Sequence, residues 1–143
     1  MKNGSAKAAA LVLLALVSTI SNADNDNRQL VKLPQMMQEH MLSNMRDHLA
    51  AINEILTSMR SGELDKAAEV AEQRLGMSSL ELHGAEHMAG FMPEGMRQAG
   101  TSMHRAASRF ALKVQEGEIL PAYTMLSDIT SACVACHSGY RIR

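Results

Sequence analysis

Met37, Met41, Met45, His48, Ile52, Ile55 and Met59 recur at steps of three and four. That spacing makes one long helical face that must be covered by something. A strand turns alternate side chains to opposite sides and cannot present it. Pro34 suits the first turn of such a helix, where its missing N–H is no loss. Ser61-Gly62 supplies the stop, glycine being free to take the left-handed conformation. A second helix starts near Leu64, with Leu64, Ala68, Ala71 and Leu75 on one side, and Gly76 ends or bends it. Ser78-Ser79-Leu80-Glu81 has the spacing of a capping box, from which a new helical turn can start. Gly84, Gly90 and Pro93 mark the following stretch as a broken crossover. Met96, Ala99, Met103, Ala107, Phe110 and Val114 give a third stripe, closed by Gly117. Pro121 opens a fourth helix carrying Leu126, Ile129, Cys133, Cys136, His137 and Tyr140. No segment alternates with period two for long enough to make a strand. Four amphipathic segments with short links predict an all-α chain, folded as an antiparallel four-helix bundle.

The start of the chain follows a different rule. Lys2 and Lys7 precede an apolar run, Ala8 to Ile20, interrupted only by Ser18 and Thr19. Ser21-Asn22-Ala23 closes it with small residues at the positions a signal peptidase reads. The run is about 13 residues, against the roughly 20 of a bilayer-spanning helix. Residues 1–23 are therefore read as a cleaved signal peptide rather than an anchor. The mature domain is 24–143, located outside the cytoplasm, with Asp24 to Lys32 as a short polar tail. A chain of 143 residues allows one domain and hardly two.

Cys133-Val134-Ala135-Cys136-His137 is C-x-x-C-H, the attachment signature of c-type haem. Residues three apart on a helix lie close enough for both thiols to add to the two vinyl groups of one haem edge. The histidine that follows directly can reach the iron as an axial ligand. A thioredoxin-like dithiol would place the motif at a β–α junction, and a zinc site would need further ligands. These are the chain's only two cysteines, and both fall inside the motif. The expected cofactor is one covalent haem c per chain.

The motif lies close to the C-terminus and continues as Cys-x-x-Cys-His-x-x-Tyr-Arg through Tyr140 and Arg141. In motif position, length and helix order the mature chain resembles the class II c-type cytochromes, the cytochrome c-prime and related low-spin group. The resemblance implies a four-helix bundle with haem near one end and His137 as proximal ligand. It places Tyr140 and Arg141 against the proximal pocket, where the alternative is a solvated helix end. It also implies pairing of two copies through the first two helices. In this family a residue of the first helix faces the other side of the iron, about three turns after the helix starts. Eleven residues past Pro34 is Met45, with Met41 one turn earlier as runner-up. A methionine there implies a six-coordinate electron carrier. An apolar side chain such as Leu42 implies an open, five-coordinate haem that binds nitric oxide or carbon monoxide. Met36, Met37, His40 and His48 are further residues of the same helix able to ligate, and a methionine stripe can equally be core packing.

Composition sharpens the reading. There are 12 methionines but only Phe91, Phe110, Tyr123 and Tyr140 as aromatics, and no Trp, so a buried haem would supply the large flat group the core lacks. Lys plus Arg total 14 and Asp plus Glu 15, which is no footprint of a nucleic-acid binder. His83 and His87 are four apart, and Met88, Met92 and Met96 follow. That set suits copper if Gly90 and Pro93 let the side chains converge, and is otherwise a partly exposed pair beside a crossover. Glu81 and Glu86 form no catalytic pair, and no Ser–His–Asp set or phosphate loop is present. The expectation is a periplasmic single-electron carrier that is not an enzyme. Its partners would be redox proteins, with no nucleic acid and no membrane after signal cleavage.

Overall fold

The computed structural model describes residues 26–143; the expected signal peptide, residues 1–23, and its expected cleavage site lie outside the described residues. The chain is mostly helical, with four main helices packed together. These are α1 (Gln35–Arg60), α2 (Leu64–Arg74), α4 (Glu94–Gln115) and α5 (Ile119–Gly139). Between α2 and α4 run a 3-10 turn, Met77–Ser79, and the short helix α3, Ala85–Ala89. α1 packs on α2, α2 on α4, and α4 on α5. Gly62 at φ 75° and Gly117 at φ 78° take the left-handed conformation just past α1 and α4. There they end the helices at the predicted places.

Three local expectations change. Ser78 does not start a new helix. Its backbone N–H and its hydroxyl both turn back to the Glu72 carboxylate at the end of α2, leaving only a 3-10 turn. Nor is Asp24–Lys32 simply a tail. Gln29–Leu30 (β1) pairs in parallel with Tyr140–Arg141 (β2), Gln29 opposite Tyr140 and Leu30 opposite Arg141. The Val31 N–H donates to the Arg141 carbonyl at 2.7 Å, and Val31 and Leu33 are buried. The fourth helix accordingly stops at Gly139, and Tyr140 is extended (φ −133°, ψ 148°).

The buried side chains form two clusters. The larger joins Ala51 and Ile55 of α1, Ala67 and Ala71 of α2 with Leu75 just past its end, Phe110 and Val114 of α4, and Ala122 and Ile129 of α5. Its alanines let helix backbones come close, and Phe110 fills the centre. The smaller cluster is Val31, Leu33, Met41, Met88 and Met96, with Met45, Met92, Cys136 and Tyr140 packed against it. Arg74 ties α2 to α1 by bonding Asp47 and, at 2.8 Å, the Glu54 carboxylate. By length and composition α5 is the one helix among the described residues that passes for a membrane span. Its Ala122, Leu126 and Ile129 are buried in the larger cluster.

Candidate functional site: a methionine and histidine cavity beside the C-x-x-C-H motif

A cavity of about 610 Å³ opens at the methionine cluster, a volume within the range of small-molecule and cofactor sites. α1 contributes Met41, Leu42, Met45 and His48 to its wall. The stretch from Leu80 to Met92 contributes His83, Met88 and Met92, and α4 contributes Met96, Met103 and His104. Cys136, His137, Tyr140 and Arg141 line it as well.

The predicted site residues divide accordingly. Cys136 is half-buried in the wall, and His137, though exposed overall, lines the same space. Cys133 is half-buried one turn earlier, packs against the larger cluster and stands outside the wall. Both thiols are free. Burial pushes each above the ordinary thiol range, so both are neutral at pH 7. Tyr140 and Arg141 are half-buried in the wall rather than solvated. The Tyr140 hydroxyl sits so close over Gly95 that a Cβ there would lie 2.5 Å from it. Of the first-helix candidates, Met45, Met41, Leu42 and His48 line the cavity, whereas Met36, Met37 and His40 do not. His83 and His87 do not converge: His83 is buried in the wall, and His87 is exposed on α3 and outside it.

Sequence reasoning did not single out His104, which joins His48 and His83 in one buried group. The ring centroids are 4.8 Å apart for His48–His83, 5.4 Å for His83–His104 and 6.0 Å for His48–His104. His104 Nδ1 lies 2.7 Å from the Leu75 carbonyl. A carbonyl only accepts, so Nδ1 carries the proton and Nε2 keeps its lone pair. The Ser79 hydroxyl donates to the Gly76 carbonyl at 2.7 Å, which leaves its oxygen to accept from His83 Nδ1 at 3.3 Å. His83 is thus in the same tautomer, and the Asn44 amide holds its backbone carbonyl at 3.1 Å. His48 Nε2 is buried with no hydrogen-bond partner. Burial, then the two neighbouring rings, pushes His48 down to about 4. Burial is the first cause of the downward shifts of His83 and His104 as well. As the rings stand, no three His, Cys, Asp or Glu side chains among the described residues are gathered to hold an ion.

The signal for His104 was present. It lies on a row with Gly100, Ala107 and Ala111, at steps of four, three and four beside the Met103 stripe. Arg28, Arg97, Arg141 and Arg143 also line the cavity. The Arg141 Nε is buried without a hydrogen bond, with the Asp26 carboxylate 3.6 Å away. Compared with protein-family models, curated proteins and solved structures, the chain has no match in any of the three.

Proposed function

We propose that the chain is a periplasmic mono-haem c-type cytochrome that carries single electrons. The observation that carries this reading is that Cys136 and His137 of the C-x-x-C-H motif line an apolar, methionine-walled cavity of cofactor size. The residues fit a haem in three respects. Two free thiols sit three apart on one helix with a histidine directly after them. Flexible thioethers offer a wall that can mould to a rigid ring. Four arginines, one with a buried Nε that makes no hydrogen bond, suit the two carboxylates of a haem.

On this reading Cys133 and Cys136 would hold the cofactor, His137 would ligate its iron, and Tyr140 and Arg141 would pack beside it. The haem supplies one-electron chemistry, with thioether ligation favouring the reduced iron. The chain's own part is to exclude water with Met41, Met88 and Met96, all buried. Met45 would be the second protein ligand to that iron. It lines the cavity and packs in the same cluster as Cys136 and Tyr140.

The test is expression in a host that matures c-type haem and exports the chain. The product should show a covalent haem by mass and by pyridine haemochrome, and neither Cys133→Ala nor Cys136→Ala should keep both thioether links. The ferric spectrum should carry a weak far-red sulfur-to-iron band, lost in Met45→Ala and kept in Met41→Ala. A high-spin spectrum with ready carbon monoxide binding would replace the electron carrier by the gas binder. An exported chain with two free thiols and no haem would end the proposal.

A further inference from the structure

His48, His83 and His104 come from three separate parts of the chain: α1, the segment before α3, and α4. They are 8%, 5% and 8% exposed. Three imidazoles meeting at one point of a core is unusual packing, since each brings a polar nitrogen that must be satisfied. We infer that these three rings form a metal site of their own, taking one borderline transition-metal cation, zinc or copper, through their Nε2 atoms. Its three histidines are none of the residues assigned to haem above, and the site does not depend on that assignment.

Two independent features aim the rings. First, the far nitrogens are already engaged: His104 Nδ1 on the Leu75 carbonyl and His83 Nδ1 on the Ser79 hydroxyl. A histidine that ligates a metal almost always gives its other N–H to such an acceptor, which fixes both the tautomer and the ring orientation. Second, His48 Nε2 is buried and unpartnered, and a cation would complete it.

The spacing agrees. A zinc lies about 2.0–2.1 Å from an imidazole nitrogen, hence about 3.2 Å from the ring centroid. Two rings sharing one ion at a tetrahedral angle then stand about 5 Å apart. The observed 4.8, 5.4 and 6.0 Å bracket that value. The donor atoms are not yet gathered, and closing them on an ion needs the His48 ring, which has no hydrogen bond at Nε2, to turn about χ2, a broad torsion in histidine.

Three histidine ligands leave a fourth position facing the cavity. Met103 lines the same cavity, and a thioether in that position would favour copper(I) over zinc.

The protein is tested as isolated, after EDTA treatment and desalting. It is titrated calorimetrically with zinc chloride and, without oxygen, with copper(I) in competition with bicinchoninate. Retained metal is counted by mass spectrometry after gel filtration. One equivalent of zinc or copper(I) per chain is expected. His48→Gln and His83→Gln should each weaken it at least 100-fold, and Ser79→Ala about 10-fold. His87→Gln should leave it unchanged. His104→Gln joins the set if its helical circular dichroism matches the parent; the other two variants carry the test if it does not. Haem content and the Soret spectrum are measured on every variant, so that loss of this site and failure of the haem reading are told apart. No retained metal would overturn the proposal, as would retention unaffected in both His48→Gln and His83→Gln. So would a His48→Gln variant that alters the haem spectrum while the parent holds no second metal, because that ring would then belong to the iron.

Discussion

The proton balance of His48 is decided by its surroundings. The ring enters a wall where His83 and His104 face it, with Asp47 and Arg74 nearby. Burial disfavours the charged form most, the two rings add to this, and Asp47 opposes it. In the folded chain the group titrates at about 4, against about 6.5 when unfolded. Between those values the unfolded chain holds the proton and the folded chain does not. Stability is therefore full above pH 6.5 and falls as pH drops through that window. One such group gives a slope of about 1.4 kcal/mol per pH unit, and His83 and His104 shift in the same direction. Urea unfolding of EDTA-treated protein should show a lower midpoint at pH 5 than at pH 7, with a smaller difference in His48→Gln. Equal midpoints at both values would mean that the three rings are not held neutral by the fold. A second residue-scale prediction concerns Gly76. A Cβ there would lie 2.7 Å from the Glu72 backbone carbonyl, so space rather than a special φ demands glycine. Gly76→Ala should cost about 1–3 kcal/mol in urea unfolding, because the same turn carries the Gly76 carbonyl that orients Ser79.

Among the elements, α2 is the shortest of the four long helices and is held to α1 in part by one side chain. The Arg74 guanidinium bonds the Asp47 carboxylate and backbone carbonyl as well as Glu54. The network is partly exposed, so Arg74→Ala should cost about 1 kcal/mol, less at high salt. A loss that does not change with salt would assign the effect to the apolar stem of Arg74 instead. The four long helices were legible because each writes its own rule locally. Met41, His48 and Ile55, or Met103, Phe110 and Val114, repeat at helical steps, and Gly62 and Gly117 sit where a left-handed residue ends them. C-x-x-C-H was legible for the same reason, being five consecutive residues. The segment from Met77 to Pro93 was not, because its partners are remote in sequence. Asn44 holds His83, and Met77 N–H bonds the Ser108 hydroxyl. Such bonds leave no period. The β1–β2 pair escaped as well, since two residues per strand are too few to alternate. The cavity that Met41, Leu42 and Met45 line was not legible at all, because its walls come from remote parts of the chain, from Arg28 to Arg143.

At the scale of the whole molecule, stability and site are separated. The larger cluster is built from Phe110, Ile55, Leu75 and Ile129, all fully buried, with alanines between the helices. The smaller cluster is closed by a two-residue strand pair and by methionines around a cavity. Stiff, close-packed contacts carry most of the folding free energy, and Phe110→Ala should therefore cost about 3–5 kcal/mol. The methionine end has fewer close-packed partners, and its segments should open locally without unfolding α4. Native-state hydrogen exchange on protein lacking cofactor and metal tests this directly. Amides of Ala107–Val114 should exchange only through global unfolding, whereas those of Ala85–Ala89 and of Val31 should exchange several hundredfold faster. Adding zinc or copper(I) should slow Met88 and its neighbours, because the three histidines join α1 and α4 to the segment that holds α3. Loading haem should slow Val31 as well, since its N–H bonds the Arg141 carbonyl four residues beyond His137. Uniform exchange across both clusters would mean that the cavity end is as tightly cooperative as the Phe110 core. The site would then be preformed rather than completed by what it binds.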